Sequence, residues 1–504
     1  MRETRYSGMA VTLAAALMAT TAGAQQVQNL STFVNDPSSG ATDLQRATAD
    51  AVQGMCATLG GLGGPDLQDA QQLDLWQRCN ELVATAQELQ SGQPPSRSLS
   101  IGPGELLAAV QQVAGEELHS QSTLSTRVTN GQFSNIAGRL NTLRLGGFSA
   151  AGGGRVAYVD PHDNQALDRL GFADFGMSGE PARGGGAAAD IAGSRVGWFL
   201  DGAYNTGDRD QTANEDAFDF DASSFTLGLD YMFDAGVIGI SAGLDKYDAD
   251  FDNTLLVSGG NVEVEGTTGS LFGAWYPGGF YLDGILSFGD LDTDVSRQVV
   301  YDSNNPDPVN CECPGENRTL TGDTGGDFIA AGLTVGYDVT RGNWDIASTL
   351  SVSYRDIDID GYDESDSDPA GGLALRFAPH TIESLRSILG FAFTRNISRG
   401  FGVLSPQLRV EWHHEFEDDP LTLDAKYIVE DEIMGGAPPN DFTAGCISCF
   451  RFSTDAIDTD FALVGVGVSA VFTRRLQVYG AYDALLGLEN LTSNTFSLGI
   501  RGQF

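Results

Sequence analysis

From Arg195 to Phe504 apolar residues recur at every second position, and after Ala24 no stretch approaches a transmembrane helix. Side chains that alternate with a period of two belong to strands. Twelve candidate strands are centred on Gly197 to Tyr204, Ser224 to Phe233, Val237 to Tyr247, Val264 to Tyr276, Phe280 to Leu291, Phe328 to Val339, Trp344 to Ile357, Leu385 to Arg395, Val403 to Phe416, Phe461 to Phe472, Leu476 to Leu485 and Thr495 to Phe504. The clearest assign their own faces. Phe225, Leu227, Leu229, Tyr231 and Phe233 alternate with Thr226, Gly228, Asp230 and Met232; Val464, Val466, Val468, Ala470 and Phe472 alternate with Leu463, Gly465, Gly467 and Ser469. The first set of each is expected to face lipid and the second a polar lumen, the pattern of a transmembrane β-barrel.

Connector lengths alternate as well. Short links fall at Asp234 to Gly236, Pro277 to Gly279, Arg341 to Asn343, Asn396 to Gly400 and Thr473 to Arg475. Long ones run through Gly207 to Asp221, Asp248 to Gly260, Val299 to Gly326, Asp358 to His380, Glu417 to Ile457 and Gly487 to Asn494. A bacterial barrel has short periplasmic turns and longer external loops, so the first strand is expected to rise outward and the last to end at the periplasm. Aromatic residues cluster at strand ends, among them Trp198, Trp275, Phe280, Trp344, Phe401, Trp412 and Phe472, as interfacial girdles require. A soluble β-sandwich shares the alternation but explains neither the strict parity of the loops nor the aromatic C-terminus.

The N-terminal part differs. Arg2 and Arg5, an apolar run from Met9 to Met18 and the small residues Ala22-Gly23-Ala24 form a secretory signal, with cleavage expected after Ala24. The run is about half of the roughly 20 residues a membrane anchor needs. Leu44, Ala47, Ala51 and Met55, then Leu73, Trp76, Leu82 and Leu89, recur at helical spacing on either side of a break at Gly60 to Pro65, so residues 25–100 are read as a helical hairpin. Ser91 to Pro103 is a linker. Glu105 to Leu145 is read as one further helical stretch within a segment 101–147, closed by Arg139, Arg144 and Gly146-Gly147, which suit a helix C-terminus. Residues 148–192 are Gly-rich and irregular, and the barrel occupies 193–504.

The formal charge of −40 removes the electrostatic case for nucleic acid as a partner, whereas carboxylates on a cell exterior suit divalent cations. Six cysteines form three close pairs, Cys56 with Cys79, Cys311 with Cys313 and Cys446 with Cys449. An exported chain makes these candidate disulfides. A zinc site at the C-x-x-C of Cys446 would need a second such pair or spaced histidines, and neither accompanies it.

Several segments together resemble one family. Phe225 to Tyr231, Gly279 to Gly284 followed by Leu286 to Gly289, Glu383 to Arg386 before Leu389-Gly390, and Trp412 to Asp419 are similar to the autotransporter β-domain, the translocator barrel of type V secretion. The last strand, with Phe496, Leu498, Ile500 and Phe504, resembles its barrel-assembly signal. The resemblance covers about residues 190 to 504. It implies an all-β transmembrane antiparallel barrel of about twelve strands in the outer membrane of a Gram-negative bacterium, reached by Sec export. It implies lipid, lipopolysaccharide, periplasmic chaperones and the barrel-assembly machinery as partners, and a luminal helix whose Arg139 and Arg144 meet lumen-facing Asp201, Asp230, Asp283, Arg409 and Glu411. Passengers in the family are often long β-helices or enzymes; here only a short helical region precedes the barrel. Some members cleave at an Asn in the luminal helix, and Asn130, Asn135 and Asn141 lie there with no motif to single one out.

No catalytic, cofactor or metal site is expected. Gly176-Met-Ser178-Gly-Glu180, with His162 and Asp163, lacks the final Gly of a nucleophile elbow. Asp356-x-Asp358-x-Asp360-Gly361 begins like a calcium loop but has Ser367 where the bidentate Glu belongs. His413 and His414 fall on opposite faces of a strand and cannot chelate together; His413 is expected to face the lumen. The reading is a non-enzymatic barrel that anchors and exports a short helical region. The alternatives are a pore, or an adhesin using its acidic external loops.

Overall fold

The computed structural model describes residues 29–115, 120, 131–141, 143, 195–252, 254, 259–434, 442, 446–472 and 476–503. Twelve long antiparallel strands form its main body: β1 (Val196–Arg209), β2 (Phe218–Phe233), β3 (Gly236–Phe251), β4 (Gly260–Trp275), β5 (Phe280–Asp302), β6 (Gly315–Arg341), β7 (Trp344–Ile359), β8 (His380–Arg395), β9 (Gly402–Glu415), β10 (Asp460–Phe472), β11 (Leu476–Leu486) and β12 (Leu491–Gln503). Each pairs with its neighbours in sequence, and β1 closes on β12 with Gly197 opposite Gln503 and Arg209 opposite Leu491. Closure leaves no backbone edge unpaired, the condition for a sheet inside lipid.

Alternation sorts the two faces. On β2, Phe225, Leu227, Leu229 and Tyr231 are 45 to 52% exposed, while Thr226, Asp230 and Met232 are at most 7% exposed. Comparable outward apolar rows run along every strand from β2 to β10, among them Ile238 and Leu244, Leu271, Leu286 and Phe288, Leu333 and Val335, Leu350, Phe391, Leu408 and Val466. A continuous exposed apolar belt of this extent is stable only in lipid. Aromatic contacts mark its short-turn rim, with Phe280 and Tyr337 centroids 4.7 Å apart and Phe401 and Phe472 5.6 Å apart.

β5 and β6 have 23 and 27 residues, although about ten tilted residues cross a bilayer. The surplus rises beyond the belt at the long-loop end. There the outward face becomes acidic, with Asp290, Asp292 and Asp294 on β5 and Asp323 and Asp327 on β6, while Leu291, Val295, Val299, Tyr301 and Leu320 face inward and are buried.

Those inward residues pack on the N-terminal helices. α1 (Leu30–Val34), α2 (Asp43–Leu62), α3 (Ala70–Ser91) and α4 (Pro103–Gln112) share one core with the strand extensions. Thr42 and Gln45 form a capping box at the start of α2, and Gly92 ends α3 at φ +69°. Cys56 and Cys79 are disulfide-bonded and join α2 to α3. The two longest loops contribute a small sheet of their own, ordered Phe450–Ser453, Thr422–Tyr427, Leu375–Phe377, Tyr362–Asp363. Helices, loop sheet and strand extensions thus build a cap over the long-loop end.

Two expectations are corrected. The stretch Val299 to Gly326 is not all loop: β5 continues to Asp302 and β6 begins at Gly315, because above the belt the strands go on pairing around the helices. The helical stretch read from Glu105 to Leu145 is not continuous: α4 stops at Gln112, a turn follows, and Gly115 takes φ +74° where a side chain would meet Phe377 and Arg297. Helical spacing persists across this break because apolar residues on both sides are buried, in different surroundings. A second helix, α5, occupies residues 131–141 inside the barrel.

Candidate functional site

α5 runs down the lumen along one wall. Gln132 donates to Asp245 at 2.8 Å and accepts from Thr226, and Asn135 donates to Thr226 at 2.7 Å and Ser224 at 3.3 Å. Nearer the short turns, Arg139 forks onto Asp230 with Nε 2.8 Å from Oδ2, both side chains being at most 4% exposed. Below this polar row Ile136, Leu140 and Leu143 pack on Phe199, Met232, Val237 and Phe272. Since β2 runs from the long loops at Phe218 to a short turn at Phe233, α5 descends from the cap to the short-turn end. The wall is cut back to receive it: a side chain at Gly332 would meet the Phe133 ring at 2.6 Å, and one at Gly243 would overlap Gln132.

Among the described residues, the helix leaves part of the lumen unfilled. A cavity of about 1140 Å³ extends from the loops around Glu215, Asp455 and Asp458 past the small face of α5 at Ser134 and Ala137 to Asp283. Arg409 on its wall pairs with Asp483 at 2.9 Å, Arg386 with Glu415 at 3.1 Å, and His413 stacks on Phe461 with its Nε2 3.2 Å from Glu411. These are ion pairs of the wall itself; they do not touch the Arg of α5.

At the long-loop end the cap is held by buried charge. Arg318 of β6 bonds Asp74 of α3 twice, at 2.5 and 2.7 Å, and reaches Glu316 at 2.7 Å and Asp366 at 3.1 Å. One turn along α3, Arg78 donates to the Gly315 carbonyl at 2.9 Å and to Glu81 at 3.2 Å. Glu81 is fully buried, faces Tyr301 Oη at 3.4 Å, and burial raises its carboxyl to about 8 against the opposing pull of Arg78. Burial likewise raises the Tyr301 phenol. Arg297 of β5, wholly buried, forks onto Glu364 at 2.6 and 2.8 Å and donates to the last carbonyl of α4, Gln112, at 2.8 Å. The remaining disulfides lie in the loops that grip the cap. Cys313, bonded to Cys311, touches the Ser98 carbonyl at 3.4 Å, and the Cys446–Cys449 loop presses Ile447 on Gly54 of α2 while its backbone and Ser448 bind the buried Glu430.

The autotransporter β-domain family model matches residues 198–483, which includes almost the whole barrel. This chain belongs to that family. Among solved structures it is similar to the translocator domain of autotransporter NalP from Neisseria meningitidis, with 15% identity, 68% of this chain and 96% of that chain covered, and a TM-score of 0.44. It is also similar to the beta domain of the Bordetella autotransporter Brka, with 18% identity, 62% and 100% covered, and a TM-score of 0.39. A third is the transport unit of autotransporter AIDA-I from Escherichia coli, with 12% identity, 69% and 100% covered, and a TM-score of 0.36. No curated protein matches the sequence.

The autotransporter barrel is therefore an outer-membrane protein. Arg139 meets Asp230, whereas Asp283, Arg409 and Glu411 line the opposite cavity. Arg144, Asn130, Ala24, His162, Ser178 and Phe504 lie outside the described residues. Phe496 and Leu498 of β12 are 52 and 66% exposed on the lipid face, and Ile500 pairs across with Leu200 and Val478. All three cysteine pairs are disulfides. His413 faces inward and His414 outward beside Trp412. The cap-holding arginines Arg297 and Arg318 sit in no local motif. Their signal was scarcity: with 28 Lys and Arg against 68 acids, a basic residue on the inward register of a strand marks a buried acidic partner.

Proposed function

We propose that this autotransporter barrel carries its own N-terminal helical region to the cell surface and keeps it there as a docked, non-catalytic cap. The observation that carries the reading is the path of the chain. α5 lies inside the lumen and descends toward the short turns, while the helices before it are clamped at the long-loop end by Arg297 and Arg318. If the short turns are periplasmic, as in bacterial barrels, the cap and the long loops are external. The export route is the Sec pathway with removal of the signal after Ala24, followed by chaperone escort and insertion by the assembly machinery, with lipopolysaccharide and divalent cations around the acidic outer extensions. An epitope inserted at the exposed Gly40 turn is expected to bind antibody on intact cells and to remain attached to the barrel. Binding only after the outer membrane is permeabilised would overturn the reading.

The cavity beside α5 favours a second reading, a pore for small solutes. Planar-bilayer conductance separates the two. Steady conductance of the full chain that does not grow when residues 105–145 are deleted would support the pore and remove a plugging role for α5.

A further inference from the structure

In a chain with 68 acidic residues, the outward face of β6 to β9 at the short-turn rim is basic. Arg341 closes the β6–β7 hairpin directly opposite Trp344, and Arg395 of β8 stands opposite Trp344 from the other side. The three residues therefore form one row across three strands, with neighbours in such a row about 5 Å apart. All three are exposed and lie at the edge of the apolar belt, next to Val339, Ile346 and Phe393. The Arg395 guanidinium sits over the indole at 5.5 Å from its centroid. Arg399 is exposed on the adjoining turn and donates to the Ser398 carbonyl. Among the described residues neither Arg341 nor Arg395 makes an ion pair. The carboxylates nearest in sequence to Arg341 and Trp344 both take the inward register: Asp338 lies between outward Tyr337 and Val339 on β6, and Asp345 is 6% exposed and accepts from Thr340 and Asn396.

We infer that Arg341, Trp344 and Arg395 bind the phosphate of an anionic phospholipid. Exposed guanidiniums cost nothing to desolvate only while they stay in water, and here they stand at the depth where an interfacial Trp places its ring, the headgroup level. Two forks on either side of an indole match a phosphodiester: each guanidinium presents paired donors to phosphate oxygens, and the indole N–H and ring edge suit the glycerol region. Acyl chains would then continue onto the apolar rows of Val335 and Val339, Ile346 and Leu350, and Phe391 and Phe393. The choice of phospholipid rests on the reading above that places the short turns at the periplasmic leaflet; the opposite orientation would present the same row to lipid A.

The test uses the full chain in phosphatidylcholine vesicles containing either brominated phosphatidylglycerol or brominated phosphatidylcholine, with the Trp344 signal isolated by difference against W344F. Quenching is expected to favour phosphatidylglycerol by roughly threefold to tenfold, weakening as salt rises. R341Q/R395Q should lose the preference and R341K/R395K retain most of it, with folding of each variant verified by its gel mobility before and after boiling. Equal quenching by the two headgroups, a preference that survives in R341Q/R395Q, or stronger competition by lipid A than by phosphatidylglycerol would overturn the assignment. Because orientation plays no part in the vesicle measurement, absence of any preference would leave the export reading standing.

Discussion

At the scale of residues, the cap is held by charges that are stable only while they are paired. Removing one partner of a buried ion pair leaves the other uncompensated at a cost of about 3–5 kcal/mol. R318M abandons Asp74, Glu316 and Asp366 together, so the cap is expected to become protease-sensitive at much lower denaturant while the heat-modifiable barrel persists. Glu81 gives the cap a pH dependence. Burial raises its carboxyl to about 8 against the opposing pull of Arg78, so the docked state holds a proton that the undocked one releases. Stability is full below the ordinary glutamate range and is lost as pH rises toward about 8; Glu215, raised to about 7 by burial, works in the same direction. Cap protection measured between pH 5 and 9 should fall with pH, and the fall should be shallower in E81Q. A profile that rises with pH would contradict the buried proton. The face of α3 that makes these contacts was partly readable: Asp74, Arg78 and Glu81 follow i, i+4 and i+3 spacing beside Leu75 and Leu82, a charged stripe that shares a side with apolar residues. What that stripe meets, Arg318 and Glu316, lies more than two hundred residues away, and no local pattern announces it.

At the scale of elements, α5 is fitted to its wall by polar contacts rather than by an apolar stripe alone. R139A should lower the temperature at which the boiled and unboiled bands interconvert, and R139M/D230L should recover most of the loss, because apolar replacement of both partners removes the stranded charge. N135A, which gives up hydrogen bonds to Ser224 and Thr226, should cost about 1–3 kcal/mol. Leucine at Gly332 would collide with Phe133 and displace the helix toward the cavity; a change in luminal conductance reads this out. Removing the Cys56–Cys79 bond, which closes a loop with a sequence separation of 23, should cost the cap about 3 kcal/mol in the entropic account. Because the core of α2 and α3 is shared with β5 and β6, the loss is expected in cap unfolding and not in the barrel. The strand elements were legible from their period because every second residue faces lipid. The extensions of β5 and β6 were not, since above the membrane the outward residues turn from apolar to Asp and the stretch from Val299 to Gly326 reads as loop.

At the scale of the molecule, the barrel and the cap are stabilised by different solvents. Lipid covers the outward rows of the barrel, and the helices cover the inward faces that rise beyond it. A chain truncated to begin at β1 is therefore expected to form a heat-modifiable barrel whose β5–β6 extension, with Leu291, Val295, Val299 and Leu320 uncovered, is cut by protease where the full chain resists. Strand number, lipid face and turn parity followed from sequence alone, because alternation and loop length are local quantities that the bilayer translates directly into structure. Where the helices sit, that α4 and α5 part company at Gly115, and that scarce arginines on β5 and β6 clamp the cap were decided only by tertiary structure. Those outcomes depend on which distant carboxylate a buried guanidinium finds, and partner choice across hundreds of residues is set by the closed geometry of the barrel, not by any periodicity along the chain.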